Sequence, residues 1–192
     1  MTDIAVEEKP RKTFRDFSWK VGAKMVAVIA VCCAPVAYAA DRFQFGIDDQ
    51  VYRCLPERFY IIDTYSRPKA EDIKRGAYIA IRMTADQSPK GATWGAGARM
   101  IKRVVATHPG DTMHVRKDGV SFTSADGTET WKHGTALEVA KDFGWDEDMF
   151  VRDSTLKPGE MFMMGDNFKS YDSRYYGPVN EDQIYGTVVW AW

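Results

Sequence analysis

One stretch constrains this chain more than any other: Met25 to Ala40, MVAVIAVCCAPVAYAA, sixteen residues without a charge. Lys9, Arg11, Lys12, Arg15, Lys20 and Lys24 precede it. A basic segment followed by an apolar run is the order that export machinery reads. Two export readings are open. In a cleavable signal, Ala37-Tyr38-Ala39 supplies the small-x-small exit. In a retained anchor, Val21, Gly22 and Ala23 extend the run toward the roughly 20 residues that span a bilayer. Lys24 then snorkels toward the headgroups, and Pro35 kinks the helix without forbidding it. A buried core helix is the third reading, and the basic-then-apolar order speaks against it. Under either export reading the basic flank stays cytoplasmic. The expected organisation is a basic segment over 1–20, an anchor or signal over 21–40, and an exported domain over 41–192.

Composition narrows that domain. Apolar residues make up 45% of the 192 and charged residues 28%, which suits a globular domain with its own core. Negative mean hydropathy with a single long apolar run excludes a polytopic membrane protein. A net charge of -1 lacks the basic surplus of a nucleic-acid binder, so no nucleic-acid partner is expected. Three Cys are too few for a disulfide scaffold. Cys32 and Cys33 lie inside the apolar run, which leaves Cys54 alone in the exported part. In an oxidising compartment a lone Cys is a liability unless it is buried or used.

The exported part reads as mainly β, an antiparallel sheet or barrel-like fold. Short runs rich in β-branched and aromatic residues predict strands at 60–63, 78–82, 100–105, 112–116, 119–122, 160–164 and 185–192. Between them fall turn signals such as Pro109-Gly110-Asp111 and Lys157-Pro158-Gly159. A helix is expected over Thr135 to Phe143, and a loop over Asp86 to Gly97. Phe43, Phe45, Trp190 and Trp192 either fill the core or form an apolar face that meets a membrane.

His108, His114 and His133 have no metal-ligand spacing, and no glycine pattern cradles phosphate, so neither metal nor cofactor is expected. Three segments concentrate reactive or polar groups. The first holds Cys54-Leu55-Pro56. The second is Ile101-Lys102-Arg103-Val104-Val105, where alternation points Lys102 toward a partly buried surface. A buried lysine loses the solvation of its ammonium, which makes its amine usable as a general base. The third runs from Gly165 to Val179 and is dense in Asp, Ser and Arg; such a stretch needs many mutual hydrogen bonds unless it is an exposed loop.

In order and content these segments resemble the type I signal peptidases, membrane-anchored proteases with a nucleophile-lysine dyad, and most of all their TraF-type branch of conjugative transfer systems. The boxes read Cys54-Leu55-Pro56-Glu57-Arg58-Phe59-Tyr60, Arg75-Gly76-Ala77-Tyr78, Lys102 through Asp111, and Gly165 through Val179. The resemblance implies Cys54 as nucleophile where the family usually has Ser, and Lys102 as its general base. It implies Ser170 as the residue that orients the lysine amine, and Asp172 with Arg174 as a supporting ion pair. Gly165 and Asp166 bracket the turn that brings the last box to the site. Tyr52 stands where signal peptidases often carry a hydroxyl that donates to the oxyanion, and the backbone N–H of Cys54 is a second candidate donor. Arg58 replaces the glycine of the family box. Ser66-Arg67-Pro68 is also S-x-P, so Ser66 is the rival nucleophile, although Tyr60 follows Cys54 at the family's interval and Asp72 follows Ser66. The implied activity is processing of an exported, pilin-like precursor, by trimming or head-to-tail cyclisation. The implied place is a bacterial inner membrane, single-pass with the catalytic domain in the periplasm, beside type IV secretion or conjugation components. The alternative is a silent relative that binds precursor or a secretion component, suggested by the Ser-to-Cys change and by Tyr52.

Overall fold

The computed structural model describes residues 18–88, 95–133 and 137–192. It divides into two compact units, Met1–Asp41 and Arg42–Trp192. The first contains nearly all of α1 (Trp19–Arg42), a helix of 24 residues with Pro35 inside it. At 1.5 Å per residue such a helix is about 36 Å long, enough for the roughly 30 Å hydrocarbon core of a bilayer. Its stretch from Met25 to Ala40 carries no charge and none of its residues is buried, so length and composition qualify it to cross a membrane.

The second unit is built from antiparallel strands. Among the described residues, seven form one sheet in the order β1-β2-β11-β3-β4-β9-β10 and four form another in the order β7-β6-β5-β8. In chain order the strands are β1 (Phe43–Ile47), β2 (Phe59–Asp63), β3 (Tyr78–Arg82), β4 (Arg99–Ala106), β5 (Thr112–Arg116), β6 (Gly119–Thr123), β7 (Thr130–Lys132), β8 (Arg152–Thr155), β9 (Glu160–Met164), β10 (Val179–Asn180) and β11 (Ile184–Ala191). Among the described residues two short α-helices, α2 (Glu138–Phe143) and α3 (Ser173–Tyr176), and three single turns of 3-10 helix complete it.

The seven expected strands are present within a residue or two of their expected bounds. Strands β1, β7, β8 and β10 were not expected. Three of them are four residues or fewer or carry charged residues, so partners rather than local propensity hold them extended. The expected helix at 135–143 is observed over Glu138–Phe143; residues 134–136 lie outside the described ones. It stops at Gly144, whose φ of 67° takes the left-handed conformation that closes a helix C-terminus. Half of the expected loop at 86–97, residues 89–94, lies outside the described residues; its described ends, 86–88 and 95–97, carry turns and a bend and no strand or helix.

Strand β3 explains how the large sheet packs. Ile79 and Ile81 point into a cluster with Val104, Met161, Met163 and Ile184. Ala80 points the other way, toward Leu55, Tyr60, Ile62 and Tyr185. A strand buried on both faces needs apolar residues at odd and even positions alike, and Tyr-Ile-Ala-Ile provides them. The small sheet packs around Met113, Val115, Phe122 and Leu137, shared with Phe162 and Met164 of β9. Phe43, Phe45, Trp190 and Trp192 are exposed, not core. Phe45, Phe59 and Trp192 pack ring against ring at 5.5 to 6.0 Å between centroids.

Candidate active site

Lys102 sits near the middle of β4, directly opposite Ile79 of β3, so its Cβ shares a face with apolar neighbours. Its side chain is 1% exposed. The Nζ donates to Ser170 Oγ at 2.7 Å. A group with such a costly charge, buried and held at one hydroxyl, is unusual in a strand that otherwise reads as core.

Ser170 is held there by its own segment. After β9 the chain passes Gly165, turns, and returns as α3. Ser170 N–H donates to Asn167 O at 3.1 Å. Asp172 caps α3 by accepting from Arg174 N–H and reaches back to accept from Gly165 N–H at 3.0 Å. The Arg174 guanidinium grips Asp172 through Nε to Oδ1 at 2.8 Å and Nη2 to Oδ2 at 2.7 Å. It also donates to the carbonyls of Ser170 and Asn167. Both ion-pair partners are fully buried. Burial opposes the charge on Asp172, but the Arg174 charge and hydrogen bonds, with Lys102 and the Gly165 N–H, outweigh it and hold the carboxyl below its ordinary range. Burial likewise opposes the Arg174 charge, and Asp172 outweighs it and raises that guanidinium.

Gly165 is a glycine for space. A Cβ there would lie 2.2 Å from Ser170 Oγ and 2.8 Å from Cys54 O. The missing side chain therefore lets the segment bearing Ser170 and the one bearing Cys54 approach each other. Asp166 N–H and Asn167 N–H then donate to Cys54 O at 2.7 and 3.2 Å.

Cys54 belongs to the irregular segment between β1 and β2 and is half-buried with a free thiol. Its Sγ lies 3.7 Å from Gln50 Oε1, the acceptor of its proton. Cys54 and Lys102 line the same cavity of about 360 Å³, walled also by Tyr60, Ala80, Ile101 and Tyr185. They line a second cavity as well, with Tyr52, Met100 and Tyr171. Tyr52 is exposed, and the ammonium of Lys169 lies 4.6 Å from its ring centroid. Ser66 lies elsewhere: its Oγ bonds to Thr187 Oγ1 on β11 at 3.1 Å, and it lines neither cavity that Lys102 lines. Arg58, in place of the box glycine, donates its N–H to Trp192 O and lays its guanidinium over the Phe59 ring.

One brace around the site has no signature in the sequence. Arg103, next to Lys102, holds Asp166 through Nε at 2.8 Å and Nη2 at 2.5 Å. The same guanidinium donates to Tyr78 OH, and Tyr78 OH donates to Glu57 Oε2 at 2.8 Å. Burial and the Glu57 hydrogen bond push the Tyr78 phenol up to about 12, so it stays a donor at every physiological pH. Three distant segments are thereby joined: the one bearing Cys54, strands β3 and β4, and the turn after β9. All four residues sit inside the boxes quoted above, one in each, but nothing in the spacing of those boxes pairs them.

Residues 19–192 match the family model for signal peptidase, peptidase S26, so the chain belongs to that family. Among solved structures it is similar to a signal peptidase I from Enterococcus faecalis V583, at 22% identity over 60% of this chain and 96% of that one, with a TM-score of 0.36. No curated protein matches. The family makes the chain a peptidase of exported precursors, and α1 fits a membrane-anchored member.

Proposed function

We propose that this protein is a single-pass inner-membrane endopeptidase whose periplasmic domain processes an exported, pilin-like precursor with a Cys54-Lys102 dyad. The observation that carries the reading is the buried Lys102, bonded to Ser170, on the wall of the same cavity as Cys54. The amine form of Lys102 takes the Cys54 proton, and the ammonium so formed favours the thiolate beside it. The sulfur attacks a scissile carbonyl next to small residues, the C–S bond forms, and the carbonyl electron pair moves onto oxygen. Collapse breaks the C–N bond as Lys102 delivers its proton to the leaving amine. Water then cleaves the thioester, or a substrate amine takes its place and joins the chain ends. A lysine works here because the same group serves as base in the first step and acid in the second.

Asp172 and Arg174 touch none of the reacting atoms in this scheme. They hold the loop that carries Ser170, and Ser170 sets the direction of the lysine amine. The exposed aromatic face of Phe45, Trp190 and Trp192 suits a substrate that is itself held at a membrane. Conjugation or type IV secretion components are the proposed partners, on the strength of the TraF-like boxes. Co-expression with a conjugative pilin precursor, followed by mass spectrometry of the product, tests the reading. Trimming gives a shorter linear chain; cyclisation gives a species one water lighter than that chain. An unprocessed precursor beside the intact enzyme contradicts the proposed substrate.

A further inference from the structure

We infer that the side-chain amide of Gln50 is the oxyanion donor of this site. The inference rests on Cys54 as the nucleophile and names a residue for the charge that its attack creates. Gln50 is the side chain bonded to the reacting sulfur, with Oε1 3.7 Å from Sγ. It borders both cavities that meet at Cys54 and Lys102. Its backbone is fixed by a bond from its N–H to Asp48 Oδ1 at 3.1 Å, while its side chain stays exposed and can turn.

The two ends of a carboxamide have opposite polarity, and the last torsion of glutamine is broad and nearly two-fold. In the resting thiol the carbonyl end accepts the S–H. Once that proton has moved to Lys102, the sulfur no longer donates and carries negative charge. A half turn of the amide then presents Nε2–H toward the sulfur. When the thiolate attacks, the C–S bond forms and the negative charge passes to the former carbonyl oxygen, bonded to the carbon next to the sulfur. A donor already beside the sulfur is within reach of that oxygen. Asp48 and Asp49 border the same cavity and would repel an oxyanion, which increases the need for a donor there. Tyr52, the residue at the family's hydroxyl position, has its ring beneath the Lys169 ammonium.

Two reagents that need no knowledge of the natural substrate test this on the full chain. p-Nitrophenyl acetate acylates a thiol through an oxyanion; iodoacetamide alkylates the same thiol without one. Each rate is taken as the excess over Cys54→Ala, which removes the contribution of Cys32 and Cys33. Gln50→Ala and Gln50→Met are expected to lower Cys54-dependent nitrophenolate release by about 10²-fold, the loss typical of one oxyanion donor, and to leave alkylation unchanged. A parallel fall in both rates would make Gln50 a positioning residue for the thiol and overturn the inference, as would no fall in either. If Cys54→Ala releases nitrophenolate as fast as the wild type, the nucleophile assignment itself fails, and that result does not depend on the Gln50 variants.

Discussion

The two halves of the site are built by different means. Lys102, Ser170, Asp172 and Arg174 are all essentially inaccessible to water, and each is hydrogen-bonded to another member or to the backbone between them. Cys54 sits on a segment without strand or helix, flanked by exposed Val51 and Tyr52. That segment is tied to the buried half by two N–H bonds to the Cys54 carbonyl and by the Arg103-Tyr78-Glu57 chain. A lysine that must serve as an amine needs a dry, fixed setting. The proposed nucleophile must be reached by a polypeptide substrate, and the setting of Cys54 is open. The contrast matches the chemistry that the proposed dyad asks of each group.

The comparison breaks first at the ion pair. Arg174→Ala strands Asp172 with no countercharge, and urea unfolding of the full chain is expected to show a loss of about 3–5 kcal/mol. Arg174→Lys recovers only part of it, because an ammonium cannot repeat the two-pronged grip on Asp172 and the two carbonyls. If Arg174→Ala unfolds no more easily than a variant on the Cys54 side, the buried half is not the rigid one.

Gly165→Ala tests the junction between the halves. The new methyl must push Ser170 or the Cys54 carbonyl aside, and overpacking of this kind costs about 1–3 kcal/mol. Turnover should fall by more than the loss of folded protein explains, since the displaced groups are those of the site. An alanine variant with unchanged turnover would show that the close approach serves packing alone.

The brace on the open side is worth less. Arg103 and Asp166 are about a quarter to a third exposed, and Asp166→Asn is expected to cost about 1 kcal/mol or less. The fall should shrink further at high salt, as a partly solvated pair is screened and the buried one is not.

Acid sharpens the contrast. The Asp172 carboxyl is depressed in the folded state, so its contribution is complete above the ordinary aspartate value of about 3.9 and is lost as pH falls through the folded value. Thermal unfolding followed from neutral pH downward should show that loss, with a shallower acid limb in Asp172→Asn.

What was legible in the sequence follows the same division. The strands of the core announced themselves because Tyr78-Ile79-Ala80-Ile81 and Glu160 to Met164 carry apolar β-formers between turn residues. Strands β7, β8 and β10 did not, since Thr130-Trp131-Lys132, Arg152 to Thr155 and Val179-Asn180 are extended by their neighbours. In the site, Lys102 stood out as a charge among apolar residues, and the Gly165 to Val179 stretch as too polar to be buried without partners. That Gly165 is small for the sake of Ser170 and Cys54 could not be read, because the three residues meet only in three dimensions. The Glu57-Tyr78-Arg103 chain was hidden for the same reason, and so was Gln50, whose four-residue interval to Cys54 carries no pattern on an irregular segment.

The most direct measurement is mass spectrometry of a co-expressed pilin precursor with the wild type, Cys54→Ala, Lys102→Ala and Ser66→Ala. The dyad predicts that Cys54→Ala and Lys102→Ala each cut processing on the order of 10⁴-fold or more, as loss of a nucleophile or its base does elsewhere, while Ser66→Ala processes normally. Processing retained by Cys54→Ala and lost in Ser66→Ala would contradict the assignment of the nucleophile.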